Sequence, residues 1–175
     1  MRIATVLVLA FSFAFSLSAQ DGIELRHKVP SEAEQKETAA LMKEVFRAEY
    51  AQRGPQAREE LALKLLEAGR NATAEPATQY VLLKEAAEVA GQVGVTAALE
   101  ALHVLSKSFI VDTTQLKLNV LGEIRSTARD PDACLSGAAH AIKFIEEAMA
   151  AEKFDIAQEA GDIMQGFAVR ARNME

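Results

Sequence analysis

The chain is predicted to be all-α, and three observations predict it. From residue 31 to the C-terminus, apolar residues recur three and four positions apart in one segment after another, the spacing of helices that bury one face. Helix punctuation separates the segments: Ser31-x-x-Glu34, Gly54-Pro55, Pro76 and Asp130-Pro131. The composition agrees. Apolar residues make up 50%, yet Trp is absent and aromatics are only 6%. The core must then come from Ala, Leu, Ile, Val and Met, which suits closely approaching helices.

Residues 1–19 read as a secretory signal peptide. Met1-Arg2 gives a positive start, Ile3 to Phe15 an apolar run, and Ser16-Leu17-Ser18-Ala19 a small-residue cut site before Gln20. The run is short for a membrane span, which needs ~20 residues, and no cysteine follows it to carry a lipid. A secreted or periplasmic product starting at Gln20 is expected, with no membrane anchor after cleavage. Residues 20–30 show no period and end in Pro30; they are expected to be a linker. Residues 31–173 are expected to form a single helical domain, long enough for a core of its own.

Seven helices are expected. The first, about 31–53, opens with a capping box at Ser31 and Glu34 and turns Leu41, Met42, Val45, Phe46 and Tyr50 inward. Gly54 stops it and Pro55 starts the second, which carries Leu61, Leu65 and Ala68. Pro76 opens the third, with Tyr80, Leu83, Ala86, Ala87 and Ala90. After a turn at Gly94 the fourth presents Ala98, Leu102, Leu105 and Phe109. Asp112-Thr113-Thr114-Gln115 has the pattern of a second capping box, opening a fifth with Leu116, Val120, Leu121 and Ile124. Asp130 caps the sixth and Pro131 begins it; Leu135, Ala138, Ile142, Ile145 and Met149 mark its expected buried face. Lys153-Phe154-Asp155 turns into the seventh, with Ile156, Ala160, Ile163 and Phe167. Gly161 and Gly166 within it each cost ~1 kcal/mol of helix propensity against Ala, and close approach of a neighbour is one reason to have them. Phe109-Ile110-Val111 is the only β-like run, and no sheet is expected.

Short connections make successive helices antiparallel hairpins. Val95-Thr96-Ala97-Ala98 and Phe154-Asp155-Ile156-Ala157 both set an apolar residue three before a small one, with Ala86 and Ile145 twelve before that Ala. This is the logic of tetratricopeptide hairpins without that repeat's Trp, Leu-Gly and Pro marks. Either a tetratricopeptide-like stack or a closed helical bundle fits. The central wall is expected to include Leu83, Leu102, Leu105, Ile142, Ile145 and Phe167, with Ile145→Ala costing ~2–5 kcal/mol.

Residues 46–121 carry a likeness to a known family. Tyr80-Val81-Leu82-Leu83-Lys84-Glu85-Ala86 and Phe109-Ile110-Val111-Asp112, with Lys117 and Leu121, resemble a helical domain of exported planctomycete bacterial proteins. Glu152-Lys153-Phe154-Asp155-Ile156-Ala157 is similar to a later hairpin of that domain. The likeness spans most of the chain beyond residue 19 and is a packing pattern, without a catalytic signature. In that family the domain commonly sits beside other modules, whereas this chain stops at Glu175, so the resemblance implies a free-standing scaffold unit.

Charge and motifs narrow the chemistry. The net charge is −6, and the 19 Lys and Arg are scattered singly among 25 acids, which disfavours nucleic acid and anionic membrane as partners. Cys134 is the only cysteine, so no internal disulfide forms; beside Ala133 and Leu135 it reads as a small buried residue, with an intermolecular disulfide as the other option. Glu100-x-x-His103 has the spacing of di-metal bundles, but His140 is preceded by Gly137 where a second Glu is needed. An exposed Glu beside a half-buried His is the plainer account, and His140, between Ala139 and Ala141, reads as structural. His27 lies in the expected linker. Neither a Gly-x-Ser-x-Gly elbow nor a phosphate loop occurs. Glu59-Glu60 and Glu146-Glu147 point about 100° apart on a helix, and these, like Glu85 and Glu88, read as solvated faces. Tyr50 and Tyr80 are the best polar handles, each a core aromatic with its hydroxyl at the rim. Asn71-Ala72-Thr73 is a formal glycosylation sequon. No catalytic residue, metal or cofactor is expected. The leading expectation is an exported, non-catalytic helical scaffold that binds a protein or peptide; the alternative is a small-molecule- or metal-binding bundle.

Overall fold

In a computed structural model the described residues are 26–174, and they are 79% helical. The expected signal peptide and the cut at Gln20 lie outside the described residues. Helix α1 (Glu32–Val45) opens with the capping box: Glu34 N–H donates to Ser31 Oγ, and Ser31 N–H donates to Glu34 Oε2 at 2.8 Å. The Ser31 hydroxyl, which donates to Glu34 Oε2 at 2.6 Å, and then the Ser31 N–H hold the Glu34 carboxyl below its ordinary range. The expected long first helix breaks at Phe46, and a short α2 (Arg47–Ala51) follows. No residue of α1 is fully buried; Leu41 and Val45 are exposed, and Ala39, Met42, Phe46 and Tyr50 lean on the core. The inward face is narrower than expected because α1 rests chiefly on one later helix, which leaves room for a single narrow stripe.

Gly54 sits at φ 110, a backbone region that L side chains avoid, and caps α3 (Pro55–Asn71) with Pro55 in its first turn. Then follow α4 (Pro76–Ala90), α5 (Val95–Ser108), α6 (Thr114–Thr127), α7 (Pro131–Ala150) and α8 (Phe154–Arg172). Asp130 caps α7 by accepting from Ala133 N–H at 2.8 Å. The second expected capping box does not form. Asp112 Oδ1 accepts from Thr114 N–H at 2.9 Å, while its Oδ2 is held by Lys153 Nζ at 2.7 Å from the turn between α7 and α8. Gln115 instead donates to Asn119 Oδ1.

A two-stranded parallel pair corrects the expectation of no sheet. His27–Lys28 (β1) runs beside Phe109–Ile110 (β2), with His27 opposite Phe109. Phe109 is fully buried, with the Tyr80 ring edge-on at 5.2 Å and the His27 ring at 5.8 Å. The chain before Ser31 is thus partly tied to the domain, because a buried aromatic anchors the strand it pairs with.

Packing is densest between α3 and α4, α4 and α5, and α7 and α8; α1 covers α4, and α8 also packs on α6. One continuous core runs from Leu61 to Ala171. Leu83, Leu102, Leu105 and Phe167 are within it as expected, but Ile142 is 47% exposed and Ile145 only half-buried. The expected face of α7 is therefore wrong. Leu135 and Met149 also face solvent, and the buried residues are Cys134, Gly137, Ala141, Phe144 and Ala148, each one position earlier. Gly137 supplies the reason: a Cβ there would stand 2.4 Å from two Phe167 ring carbons, so α8 approaches where α7 is smallest. Gly166 meets the Arg125 side chain, whereas Gly161 faces open space and has no such reason. Val95 and Phe154, matched in the two hairpin turns, part company as well: Val95 is buried and Phe154 exposed.

Candidate functional site

A concavity with an apolar floor lies between α4 and α6, over α5. Lys84 and Glu88 on α4, one turn apart, form one bank with Gln92 just past the helix end; Asn119 and Glu123 on α6 form the other. Leu102, Leu116 and Val120 supply an apolar floor, and the space is about 310 Å³. α6 can present both kinds of residue because Leu116, Asn119, Val120 and Glu123 share one side of a 3.6-residue helix. Asn119 Oδ1 accepts from Gln115 Nε2 at 3.0 Å, leaving its amide N–H groups free to donate into the groove.

The groove's electrostatics are mildly acidic. Glu88 is accessible to solvent, but it stands in a concave wall where desolvation raises its carboxyl above the ordinary range; Glu85 adds to this, and Lys84 and Lys43 oppose it. Behind this bank, Tyr50 Oη donates to Glu85 Oε2 at 2.9 Å, and Lys43 Nζ lies 3.9 Å from Glu85 Oε1. Burial first, then this bond, raises the Tyr50 hydroxyl well above its usual pKa. Tyr50 is thus a protonated donor that ties α2 to α4. Burial also raises the Tyr80 hydroxyl.

The residues singled out from sequence separate in an informative way. Glu100 does not join His103; it is paired with Arg70 of α3. His103 instead lies with His140 in a second cleft between α5, α6 and α7. Cys134 is fully buried. Glu147 is not a free acid, since it holds Lys117 Nζ at 2.6 Å, and Glu59 and Glu60 are exposed. Among the described residues, no group of three His, Cys, Asp or Glu side chains is placed to hold a metal ion. No described helix is long and apolar enough to cross a membrane.

Two groupings of residues are not evident in the sequence. Asn119, Gln92 and Leu116 look unremarkable singly, and only the i, i+4 pairing of Asn119 with Glu123 beside Leu116 and Val120 hints at a mixed face. His140, Lys143 and Glu147 share a helix face at i, i+3 and i+7, a pattern visible only once that side of α7 is set apart from its buried stripe. Scans against protein-family models, curated proteins and solved structures found no significant match to the chain.

Proposed function

We propose that this chain is an exported, non-catalytic helical scaffold that binds a protein or peptide segment, built as a tetratricopeptide-like stack of hairpins. The observation that carries the reading is the groove between α4 and α6, with its apolar floor and its two side-chain amides, Gln92 and Asn119. A side-chain amide offers a donor and an acceptor together, the same pair that a peptide group presents. The floor accepts an apolar side chain, and Glu88 and Glu123 favour a basic group beside it. The substantial helix contacts link helices near one another in the chain, which supports a stack over a closed bundle. Export rests on residues 1–19, and secreted material is expected to begin at Gln20 on N-terminal sequencing.

Selection of a random peptide library on the immobilised protein tests the binding reading. Peptides with an apolar residue next to Lys or Arg should be enriched, and Asn119→Trp, which fills the groove from an exposed position, should abolish their retention. Selected peptides that bind the Asn119→Trp protein equally well would remove the groove from the account.

A further inference from the structure

The second cleft has chemistry that peptide binding by the α4–α6 groove does not use. His103 of α5, Lys117 of α6 and His140, Lys143 and Glu147 along one face of α7 line it, over a floor that includes Leu121 and Phe144. Lys117 and Glu147 neutralise each other at 2.6 Å, and the Lys117 ammonium lies 5.7 Å from the centre of the Phe144 ring. Lys143 and both imidazoles take part in none of the ion pairs among the described residues. A chain of net charge −6 thus concentrates one unpaired ammonium and two imidazoles around one cleft.

We propose that this cleft binds a small organic anion, a carboxylate joined directly to an aromatic body. The Lys143 ammonium and the imidazole N–H groups receive the carboxylate, a charge-assisted set of donors, and the body fills the cleft above the largely buried Leu121 and Phe144. The space, about 310 Å³, is at the small end of ligand pockets. Metal binding is a poorer use of the two histidines, because the nearby carboxylate, Glu147, is already engaged by Lys117.

Protonation sharpens the inference. The titratable groups that line the cleft with His140 are Lys143 and Glu147 on its own helix, His103 on α5 and Lys117 on α6. Desolvation first, then Lys143, holds the His140 imidazole below its ordinary pKa. A carboxylate placed between Lys143 and His140 offsets that repulsion and favours the imidazolium, so binding takes up protons and tightens as pH falls through the imidazole range.

Benzoate is the probe, titrated into the full-length protein while imidazole C–H resonances are followed by NMR. Saturable shifts at His103 and His140 are expected, with several-fold tighter binding at about pH 6 than at about pH 8. Lys143→Met, which keeps the side-chain stem at an exposed site, should weaken binding about tenfold with unchanged thermal melting. Benzamide, the uncharged isostere, should not saturate. Absence of saturable benzoate shifts, an equal response to benzamide, or saturation by inorganic phosphate at comparable concentration would overturn the proposal. None of these outcomes bears on the α4–α6 groove, which shares no lining residue with this cleft.

Discussion

Helices α4 and α7 reach burial in opposite ways. α4 is enclosed by α1, α3 and α5 and buries bulky residues over much of its circumference: Tyr80, Val81, Leu82, Leu83 and Val89 among them. α7 gives most of its packing to one partner, α8, and buries a stripe of Cys134, Gly137, Ala141 and Ala148 with Phe144 as its single large member. Leu135, Ile142 and Met149 stand outside that stripe, 61%, 47% and 50% exposed. Where a helix is surrounded, hydrophobicity alone identifies the inside. Where it meets one close neighbour, size decides, because small side chains let the axes approach and restore dense packing.

Truncating the large residue on each side should produce the largest losses. Phe167→Ala should cost about 3–5 kcal/mol and Leu83→Ala about 2–5 kcal/mol in urea unfolding, since both side chains are fully buried. A loss below 1 kcal/mol at Phe167, on the order of a surface change, would mean that α8 does not close on α7 as described. Gly137→Ala separates the two modes of packing more finely. Its new methyl meets the Phe167 ring, so overpacking of about 1–3 kcal/mol is expected. Phe167→Leu in the same chain should recover part of it, a non-additivity that a double-mutant cycle measures.

Smaller effects distinguish the rims. Ile145→Ala should cost about 1 kcal/mol, below the range for a fully buried isoleucine, because Ile145 is half-buried. Asp112 joins the loop before α6 to the turn before α8, and the Lys153 ammonium, with Thr114, depresses its carboxyl to about 2. A depressed carboxyl contributes its stability fully above the unfolded value of about 3.9 and loses it as pH falls towards the folded value. The Asp112 side chain is 67% exposed, so solvent screening limits the gain to about 1 kcal/mol or less. Asp112→Asn should therefore lower the melting temperature slightly at neutral pH, with the difference from the parent shrinking as pH falls from about 4 towards 2. Ile142→Ala should change stability by less than about 0.5 kcal/mol; a core-sized loss would restore the stripe expected from sequence as the buried one.

The same contrast explains what was legible in the sequence. Pro55, Pro76, Asp130 and Pro131 mark helix starts through local geometry, and the structure begins α3, α4 and α7 at them. Apolar positions on α4 and α5 were readable because neighbours press on them from several directions. The face of α7 was not, since Leu135-Ala138-Ile142-Ile145-Met149 and Cys134-Gly137-Ala141-Phe144-Ala148 have the same 3-4 spacing. Only the position of α8 chooses between them. The β1–β2 pair was hidden for a related reason: two residues at His27–Lys28 leave no periodic signal, and their place depends on Phe109 far along the chain. His103 and His140 likewise come together only through the packing of α5, α6 and α7.

Two apolar surfaces now compete as the docking place of the proposed partner: the floor beside α4 and the exposed stripe of α7. A photo-crosslinking residue introduced at Asn119 in one protein and at Ile142 in another, each expressed in the native host cell, decides between them. Irradiation should yield a discrete adduct of one partner from position 119, lost when Leu116→Arg is added at the groove floor, and no discrete adduct from position 142. A discrete adduct from position 142 with none from position 119 would contradict the account.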